Sequence, residues 1–127
     1  MEITTPISDH LGLYLDISSQ QLKLTAANMA NVDTPQYRTV GIDFAGEMQR
    51  AMAAANTSRE AGEPGRPATY STLHQVDGLL ERPDGNNVSM DREGLNMAEA
   101  QLRFRTGIEL LRREFTRVQS AIQIDGK

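Results

Sequence analysis

The strongest pattern in this 127-residue chain is a stripe of apolar residues near its C-terminus. From residue 97 onward, alternating steps of four and three residues meet an apolar side chain at seven of eight positions, with Gln101 as the exception. A stripe of this period, kept for nearly four heptads, is typical of an a/d seam between packed helices. Ser89 is placed to cap the helix, which the pattern predicts over residues 88–124. The seam consists of Met97, Phe104, Ile108, Leu111, Phe115, Val118 and Ile122.

A second helical pattern occupies the N-terminal part of the chain and predicts a helix over residues 8–31. Ser8 can cap this helix, and Asp9 then lies at the positive end of the helix dipole. Beyond it, Pro35 disfavours further helix, and Asn31 is suited to the left-handed conformation of a helix C-cap. Apolar residues face more than one side, which indicates packing from more than one side. The N-terminal part of the seam consists of Leu11, Leu15, Leu22 and Met29.

The middle of the chain, residues 32–87, is predicted as a turn, a short helix and a flexible loop. The short helix is predicted over residues 42–55, where apolar side chains share one face. Residues 56–69 contain two glycines and two prolines without apolar periodicity, which favours a mobile loop. An extended piece is predicted within residues 70–80. The fold class is therefore all-α, with long N- and C-terminal helices in an elongated coiled-coil hairpin around a short helix and an irregular, partly mobile middle segment.

Composition excludes several classes of function. Without cysteine, the chain has no disulfide, no thiolate metal ligand and no cysteine nucleophile. Its net charge of −4 provides no field that would attract nucleic acid or an anionic membrane. His10 and His74 are each expected at the surface rather than as catalytic bases. The common nucleotide, metal and hydrolase motifs are absent, so we predict no enzyme activity, no cofactor, no metal and no small-molecule substrate.

The lengths of the two predicted helices bear on assembly. The C-terminal helix would span about 54 Å, whereas a compact globule of this chain length is about 36 Å across. The N-terminal helix, about 36 Å long, covers only part of its partner. We therefore expect neighbouring molecules to cover the rest of the seam, because so many large apolar side chains are costly to leave in water. The alternative is a self-contained antiparallel hairpin with the loop folded over the remaining apolar surface.

The segment that closes the N-terminal helix carries a family signature. Residues 26–37 read A-A-N-M-A-N-V-D-T-P-Q-Y, which resembles A-x-N-(I/L)-A-N-x-x-T-P-G-Y of the flagellar rod, hook and hook-associated proteins. Gln36 stands where that family usually has glycine. Three further segments, at residues 37–44, 84–93 and 97–104, resemble those of the proximal rod members of the family. The matching motif residues are Asn28, Ala30, Asn31, Thr34, Pro35 and Tyr37.

The resemblance implies a structural subunit of the bacterial flagellar basal-body rod, with residues 1–127 acting as one unit that assembles with itself and with other rod proteins through its terminal helices. It also implies torque transmission across the periplasm in flagellar motility, and export by the flagellar type III apparatus without a cleaved signal peptide. The implied partners are the rod proteins FlgC, FlgF and FlgG, the rod-base adaptor FliE and the MS ring protein FliF, with no nucleic acid. From the residues alone, a soluble helical adaptor or export chaperone that binds an amphipathic partner helix is the alternative.

Overall fold

A computed structural model describes residues 4–62 and 71–125 of the chain, and it is mostly helical. Its elements in chain order are α1 (Pro6–Ala30), β1 (Val40–Ile42), α2 (Phe44–Glu60), β2 (Leu73–Gln75) and α3 (Met90–Asp125). The two strands form one small sheet. The helical character agrees with the fold class expected from the sequence, and the sheet is an addition to it.

The start and the end of α1 are both defined by side-chain caps. Thr5, rather than the predicted Ser8, is the N-cap, so the helix begins at Pro6. The Thr5 hydroxyl accepts from the Ser8 N–H at 3.1 Å, and the Ser8 hydroxyl accepts from the Thr5 N–H at 2.9 Å, which forms a capping box. At the other end the predicted left-handed cap is wrong, because Asn31 has a φ of −99°. Its side-chain amide instead donates to the Ala27 carbonyl oxygen at 2.8 Å.

The second helix is longer than predicted. It continues to Glu60, past the predicted end at residue 55. Arg59 in its last turn forms an ion pair with Asp9 of α1, which holds the added turn against the first helix. The mobile-loop prediction for residues 56–69 is therefore wrong over its first five residues, and from residue 63 onward it lies outside the described part of the chain.

The two strands pair antiparallel, with Val40 opposite Gln75 and Ile42 opposite Leu73. The sequence pattern did not predict β1, because three residues are too few to show the alternation of a strand. The strand includes Ile42, which was predicted to be the first residue of the short helix. That helix, α2, starts after Asp43 instead. The Asp43 carboxylate caps that helix start. The second strand lies inside the stretch for which an extended piece was predicted.

The two long helices pack as an antiparallel pair. Thr5, at the start of α1, donates to Glu114 toward the end of α3 at 2.6 Å. Asn28, near the end of α1, donates to Glu93 near the start of α3 at 3.1 Å. The pairing therefore runs along the whole of α1, whereas α3 continues beyond Glu114 to residue 125.

The line of α3 that faces α1 most closely is made of small and hydrogen-bonded residues, not of large apolar ones. Its members recur every seven residues and are all buried: Glu93, Ala100, Gly107 and Glu114. A Cβ added at Gly107 would lie 2.8 Å from Cδ2 of Leu15 and 3.0 Å from Cδ1 of Tyr14. Glycine at this position therefore lets the two helices approach more closely than a larger residue would allow.

The apolar core lies between α1 and α2. Leu13 and Ile17 of α1 are fully buried there, against Ala51 and Ala55 of α2. Ile42, Phe44 and Met48 pack around this centre. From α3, Ala100 is fully buried, but many of the large apolar residues of that helix lie exposed outside the core.

Candidate assembly surface and motif junction

Two sequence segments that lie about fifty residues apart meet at the C-terminal end of α1. The fully buried Asn86 donates from its side-chain amide to the carbonyl oxygens of Asn31 at 2.9 Å and Thr34 at 2.8 Å. The Gln36 N–H donates to the carbonyl oxygen of Asp84 at 2.8 Å. We call this region, formed by residues 28–40 and 84–93, the motif junction.

Asn28 is the centre of the motif junction. Its side-chain amide donates to the Val40 carbonyl oxygen at 2.8 Å and to the Glu93 carboxylate at 3.1 Å. Its side-chain oxygen accepts from the Tyr37 hydroxyl at 3.0 Å and from the Val40 N–H at 3.2 Å. Asparagine carries two N–H donors and an oxygen with two lone pairs, so the buried side chain uses its full hydrogen-bonding capacity. Aspartate offers no such donors, and alanine neither donors nor acceptors.

Tyr37 reaches back from the turn to α1. Burial and the nearby Glu93 carboxylate both raise the pKa of the Tyr37 phenol, so that it stays protonated and able to donate to Asn28. The Tyr37 carbonyl oxygen accepts from the Asn87 N–H at 3.3 Å. Through its hydroxyl and its backbone carbonyl oxygen, Tyr37 links the end of α1 to the segment that leads into α3.

The other motif residues lie nearer the surface. The Thr34 hydroxyl donates to the Asn31 side-chain oxygen at 3.0 Å, and its N–H donates to the Asn31 carbonyl oxygen at 3.0 Å. These bonds hold the reversal that follows α1. Asn31 is half-buried, whereas Ala30, Thr34 and Pro35 are exposed.

The turn keeps a left-handed residue at the position where the family usually has glycine. Gln36 has a φ of 61°, a conformation that costs a residue with a side chain about 1 kcal/mol. Gly85, with a φ of 81°, packs against it: a Cβ on Gly85 would lie 3.3 Å from the Gln36 Cα. The glycine at residue 85 therefore accommodates the side chain at residue 36.

The small sheet is attached to the motif junction through Thr39. Its buried N–H donates to the Asn87 side-chain oxygen at 2.7 Å, and its hydroxyl donates to the Asn87 carbonyl oxygen at 3.3 Å. The Thr39 carbonyl oxygen accepts from the Val76 N–H at 2.9 Å, next to the end of β2. The turn, the sheet and the start of α3 thus form one hydrogen-bonded unit.

The predicted seam lies beside the buried inner line and forms an incompletely covered apolar strip. No residue of the seam is fully buried within the described part of the chain. Phe115 is 56% exposed and Ile122 is 54% exposed. The half-buried members are Leu11, Leu15, Leu22, Met29, Met97, Phe104, Ile108, Leu111 and Val118.

Arg103 joins all three helices. Its guanidinium carbon lies 4.5 Å from the centre of the Phe44 ring, at the start of α2. The same group donates to Gln21 of α1 at 2.9 Å and pairs with Glu99 of its own helix at 2.5 Å. The Tyr14 and Phe44 rings also pack nearly perpendicular to each other, with ring centres 5.3 Å apart. Stacking of a cation on an aromatic face adds attraction to this packing and fixes α2 against the helix pair.

The buried carboxylate of Glu47 connects α2 to the segment that enters β2. Glu47 accepts from the Thr72 N–H at 2.8 Å and pairs with Arg50. Burial opposes ionisation, but the Thr72 N–H and the Arg50 guanidinium outweigh it and lower the pKa of the Glu47 carboxyl. Glu47 therefore remains charged and holds the entry to β2 against the first turns of α2.

His10 does not lie at the surface as predicted. It is half-buried beside an apolar cleft of about 230 Å³ between α1, α2 and α3, and its Nε2 atom is buried without a hydrogen-bond partner in the described structure. The prediction was wrong because the apolar face of α2 folds over the start of α1. His74, in β2, is exposed. The cleft is lined by Ile7, His10, Leu11, Tyr14, Met48, Met52 and Leu110.

Thr5, Glu114 and Arg117 form a clamp that holds the start of α1 against α3. The Arg117 guanidinium donates to both Glu114 carboxylate oxygens, at 2.9 and 2.7 Å, and the Thr5 hydroxyl donates at 2.6 Å. These hydrogen bonds, first from Arg117 and then from Thr5, lower the pKa of Glu114 from 4.5 to about 2. The clamp is therefore strongest when Glu114 is charged.

We expect the contribution of Glu114 to stability to depend on pH. Because its pKa in the folded chain is the lower one, its stabilisation is complete above about pH 5 and is lost as the pH falls toward 2. The melting temperature of Glu114→Gln should lie below that of the parent at pH 6, and the gap should close by about pH 2. Glu109→Gln, at an exposed ion pair, is the control and should show a small gap at every pH. A gap for Glu114→Gln that is constant with pH would contradict this assignment.

Two kinds of feature are not found among the described residues, a cluster of metal ligands and a membrane-spanning helix. Among them, no group of three or more histidine, aspartate and glutamate side chains is placed to hold a metal ion. Within the same ranges, the helices are too short or too polar for any of them to span a bilayer. The described structure has a polar motif junction at the end of α1 and an apolar strip along the two long helices.

The chain is similar along most of its length to several known proteins. It is 32% identical over 124 residues to the flagellar basal body rod protein FlgB of Salmonella typhimurium, covering 86% of this chain and 87% of that protein. It is 31% identical to FlgB of Cereibacter sphaeroides, covering 94% and 98% of the two chains, and 28% identical to FlgB of Escherichia coli, covering 86% and 87%. No protein-family model matches the chain.

The chain belongs to the FlgB family of flagellar basal-body rod proteins. Membership confirms the resemblance that was drawn from residues 26–37 and the three later segments. The FlgB relatives are named as rod proteins of the basal body, which are structural proteins and not enzymes. The adaptor or chaperone alternative is not favoured by these relatives.

Several residues that build the motif junction were not among the predicted site residues. Thr39, Asn86, Asn87 and Glu93 are all buried and hydrogen-bonded. The segment D-G-N-N at residues 84–87 was matched to the family, but as a pattern it indicates only a turn. The one local sign that could have indicated buried polar side chains here is the placement of Asn86 and Asn87 between a turn and the start of α3.

Proposed function

We propose that this chain is a structural subunit of the proximal flagellar rod, which assembles with itself and with other rod proteins through its terminal helices and transmits torque across the periplasm. The observation that carries this proposal is the apolar strip on α3, where Phe115 and Ile122 are each more than half exposed in the single chain. Exposed strips of this kind are typical of protein interfaces. Membership of the FlgB family supplies the class of assembly in which the strip would be covered.

The proposal extends to the form of the assembled helices. We expect α1 and α3 to take part in a coiled coil in the rod, with residues 1–127 acting as one unit. Seam residues spaced by four and three support this expectation, because the same spacing allows knobs-into-holes packing with a further helix. Contacts between different faces of neighbouring subunits would build an open helical assembly instead of a closed dimer.

The proposed partners follow from the position of a FlgB-type subunit in the basal body. They are FlgC, FlgF and FlgG in the rod, FliE at the rod base and FliF in the MS ring. We also propose export from the cytoplasm by the flagellar type III apparatus without a cleaved signal peptide. The motif junction would then orient the middle of the chain relative to the helices, since it joins the sheet to the start of α3.

The test replaces half-buried seam residues with charged ones. We expect Phe104→Asp and Leu111→Asp to abolish swimming, because a carboxylate on the strip cannot be covered by an apolar neighbour without a large desolvation cost. Swimming in soft agar and electron microscopy of isolated basal bodies provide the measurement. Rods should be missing or shortened in both variants.

Thr116→Asp is the matched control, since it adds the same charge at an exposed residue of α3 that lies outside the seam. Circular dichroism of each purified variant checks that the helices still form, and culture supernatants check export. Motile cells with rods of normal length in both seam variants would contradict the proposal.

A further inference from the structure

β2 is an edge strand, and its pairing with β1 shows which of its backbone groups point outward. The Val40 N–H and carbonyl oxygen both bond to the Asn28 side chain, so they point away from β2. Facing residues of antiparallel strands alternate between pairs that exchange hydrogen bonds and pairs that do not. Val40 and its opposite residue Gln75 are therefore a pair of the second kind. The same holds two residues along for Ile42 and Leu73, so the N–H and carbonyl groups of Gln75 and Leu73 point away from β1.

The two edges of this sheet differ in their hydrogen bonding. Asn28 closes the edge formed by β1. On the other side, the outward backbone groups of Leu73 and Gln75 have no hydrogen-bond partner within the described part of the chain, and all three residues of β2 are exposed. These groups recur about every 7 Å, the spacing at which a further extended chain would present its own N–H and carbonyl groups. We call the outward backbone groups of residues 73 and 75 the open edge.

The open edge is held in an extended form from both ends. Before it, the buried Glu47 carboxylate accepts from the Thr72 N–H at 2.8 Å. After it, the Val76 N–H donates to the Thr39 carbonyl oxygen at 2.9 Å. A Cβ at Gly41 would lie 2.9 Å from Cγ2 of Val76, so glycine lets the two strands lie this close. A strand that is already extended loses little conformational freedom when another strand binds to it, which favours binding.

The sheet would gain stability from a third strand. Two-stranded sheets are marginal in water by themselves, and a third strand with an apolar face adds stability. Ile42 packs against the apolar core, whereas Leu73, opposite it on the same face of the sheet, is 58% exposed. A third strand at the open edge would place a side chain beside Leu73 and extend this apolar face. Residues 71–76 contain no aspartate, glutamate, lysine or arginine, so the edge suits a neutral segment.

The chain that binds here is expected to differ from this one. Pairing of β2 with β2 of a second copy would use the same surface on both molecules, and such a contact closes a dimer. The proposed rod is an open assembly, which requires contacts between unlike surfaces. None of the three residues of β2 belongs to the apolar seam, so covering the seam does not use the open edge.

We propose that the open edge binds an extended segment of a different basal-body protein, which adds a third strand to the sheet through main-chain hydrogen bonds. This inference rests on the proposed rod function and adds a contact outside the terminal helices. The bound segment is neutral, has no proline at its bonded positions, and places an apolar residue beside Leu73. In strand addition of this kind, the main chain provides affinity and alternate side chains provide selectivity.

Gln75→Pro deletes one donor of the open edge. This N–H points away from β1, so the pairing of the two strands does not use it, and proline is tolerated on an edge strand at such a position. Circular dichroism and urea unfolding of the purified variant should match the parent. In cells, p-benzoylphenylalanine in place of Leu73 identifies by photo-cross-linking which chain lies beside the edge. The same probe in place of Leu80, which is 94% exposed but outside β2, is the control.

We expect the probe at residue 73 to link this chain to another protein in isolated basal bodies, identified by mass spectrometry. The yield of that product should fall at least tenfold in the Gln75→Pro background, and the probe at residue 80 should not form it. Linkage to a second copy of this chain, no product from residue 73, the same product from residue 80, or an equal yield in Gln75→Pro would each overturn the proposal.

Hydrogen exchange of the parent protein provides a measurement that needs no variant, and it decides the matter if Gln75→Pro fails to fold. The Leu73 and Gln75 amides should exchange at least ten times more slowly in isolated basal bodies than in the purified chain, because a third strand would accept their hydrogen bonds. Equal exchange rates in the two samples would overturn the proposal.

Failure of this inference is separable from failure of the proposed function. Loss of rods in Phe104→Asp cells, together with no product from residue 73 in the parent background, would leave the rod function standing and remove only the edge contact. Normal rods in Phe104→Asp cells would remove the rod function itself, whatever the cross-linking shows.

Discussion

Replacing Asn28 with alanine should destabilise the chain by about 3–5 kcal/mol. The change removes four hydrogen bonds and leaves the Glu93 carboxylate, the Tyr37 hydroxyl and both backbone groups of Val40 without this partner inside the junction. A buried polar group left unsatisfied costs about 1–3 kcal/mol, and more when it is charged. Against a total of about 5–15 kcal/mol for a typical domain, this is a large loss.

Urea unfolding followed by circular dichroism measures this effect. The control is Asn96→Ala, because the Asn96 amide makes only a long 3.4 Å hydrogen bond to the same Glu93 carboxylate. We expect the control to lose less than about 1 kcal/mol. If Asn28→Ala unfolded within about 1 kcal/mol of the parent, Asn28 would not be the centre of the motif junction.

The consequence for function would be a misplaced middle segment. Asn28 is the side chain that holds the start of β1, through Val40, against both long helices. Without it, the turn after α1 loses its attachment at one side, although Asn86 still binds the carbonyl oxygens of Asn31 and Thr34. We therefore expect a subunit whose helices form but whose middle segment is incorrectly oriented.

Replacing Gly107 with leucine should destabilise the helix pair by about 3 kcal/mol. Even a Cβ at this position would lie 2.8 Å from Leu15 and 3.0 Å from Tyr14, so a leucine side chain cannot fit without moving α3 away from α1. Overpacking of this kind typically costs about 1–3 kcal/mol, and here it also disturbs Tyr14, which packs on Phe44. The better helix propensity of leucine offsets less than about 1 kcal/mol of this cost.

Gly94 is the matched control for this change, since it lies in the same helix and an added Cβ would face open space instead of another packed residue. Gly94→Ala should therefore stabilise the chain by up to about 1 kcal/mol, the difference in helix propensity. Thermal and urea unfolding of the two variants should move in opposite directions. A Gly107→Leu variant that is as stable as the parent would show that the two helices are not in close contact there.

The sequence pattern anticipated the two long helices, and their observed bounds differ from the expected ones by one or two residues at each end. Helix periodicity is a local property and is therefore visible in the residues themselves. The caps were less predictable: Thr5 caps α1 instead of Ser8, because Ser8 has the role of the third helical residue in the capping box. The last turn of α2 was missed because its support, the Arg59–Asp9 ion pair, comes from another helix.

The seam was visible in the sequence, but its surroundings were not. Apolar spacing identified Phe104, Leu111 and Phe115 as one stripe, yet the residues that face α1 most closely are Ala100 and Gly107. Small residues carry no signal in an apolar pattern, and their importance depends on the distance to the neighbouring helix. The same holds for Glu93 and Glu114, which appear as ordinary surface charges until their partners are known.

By itself the sequence determined that this chain forms two long helices, the second with an apolar stripe at steps of four and three residues, and that it resembles the rod proteins among which the FlgB relatives place it. Only the tertiary structure decided which residues meet across about fifty to one hundred positions of sequence, as in Asn86 with Asn31 and Thr5 with Glu114. Helical period arises from local backbone geometry. Hydrogen bonds between distant buried groups depend on how the whole chain folds, so no local pattern contains them.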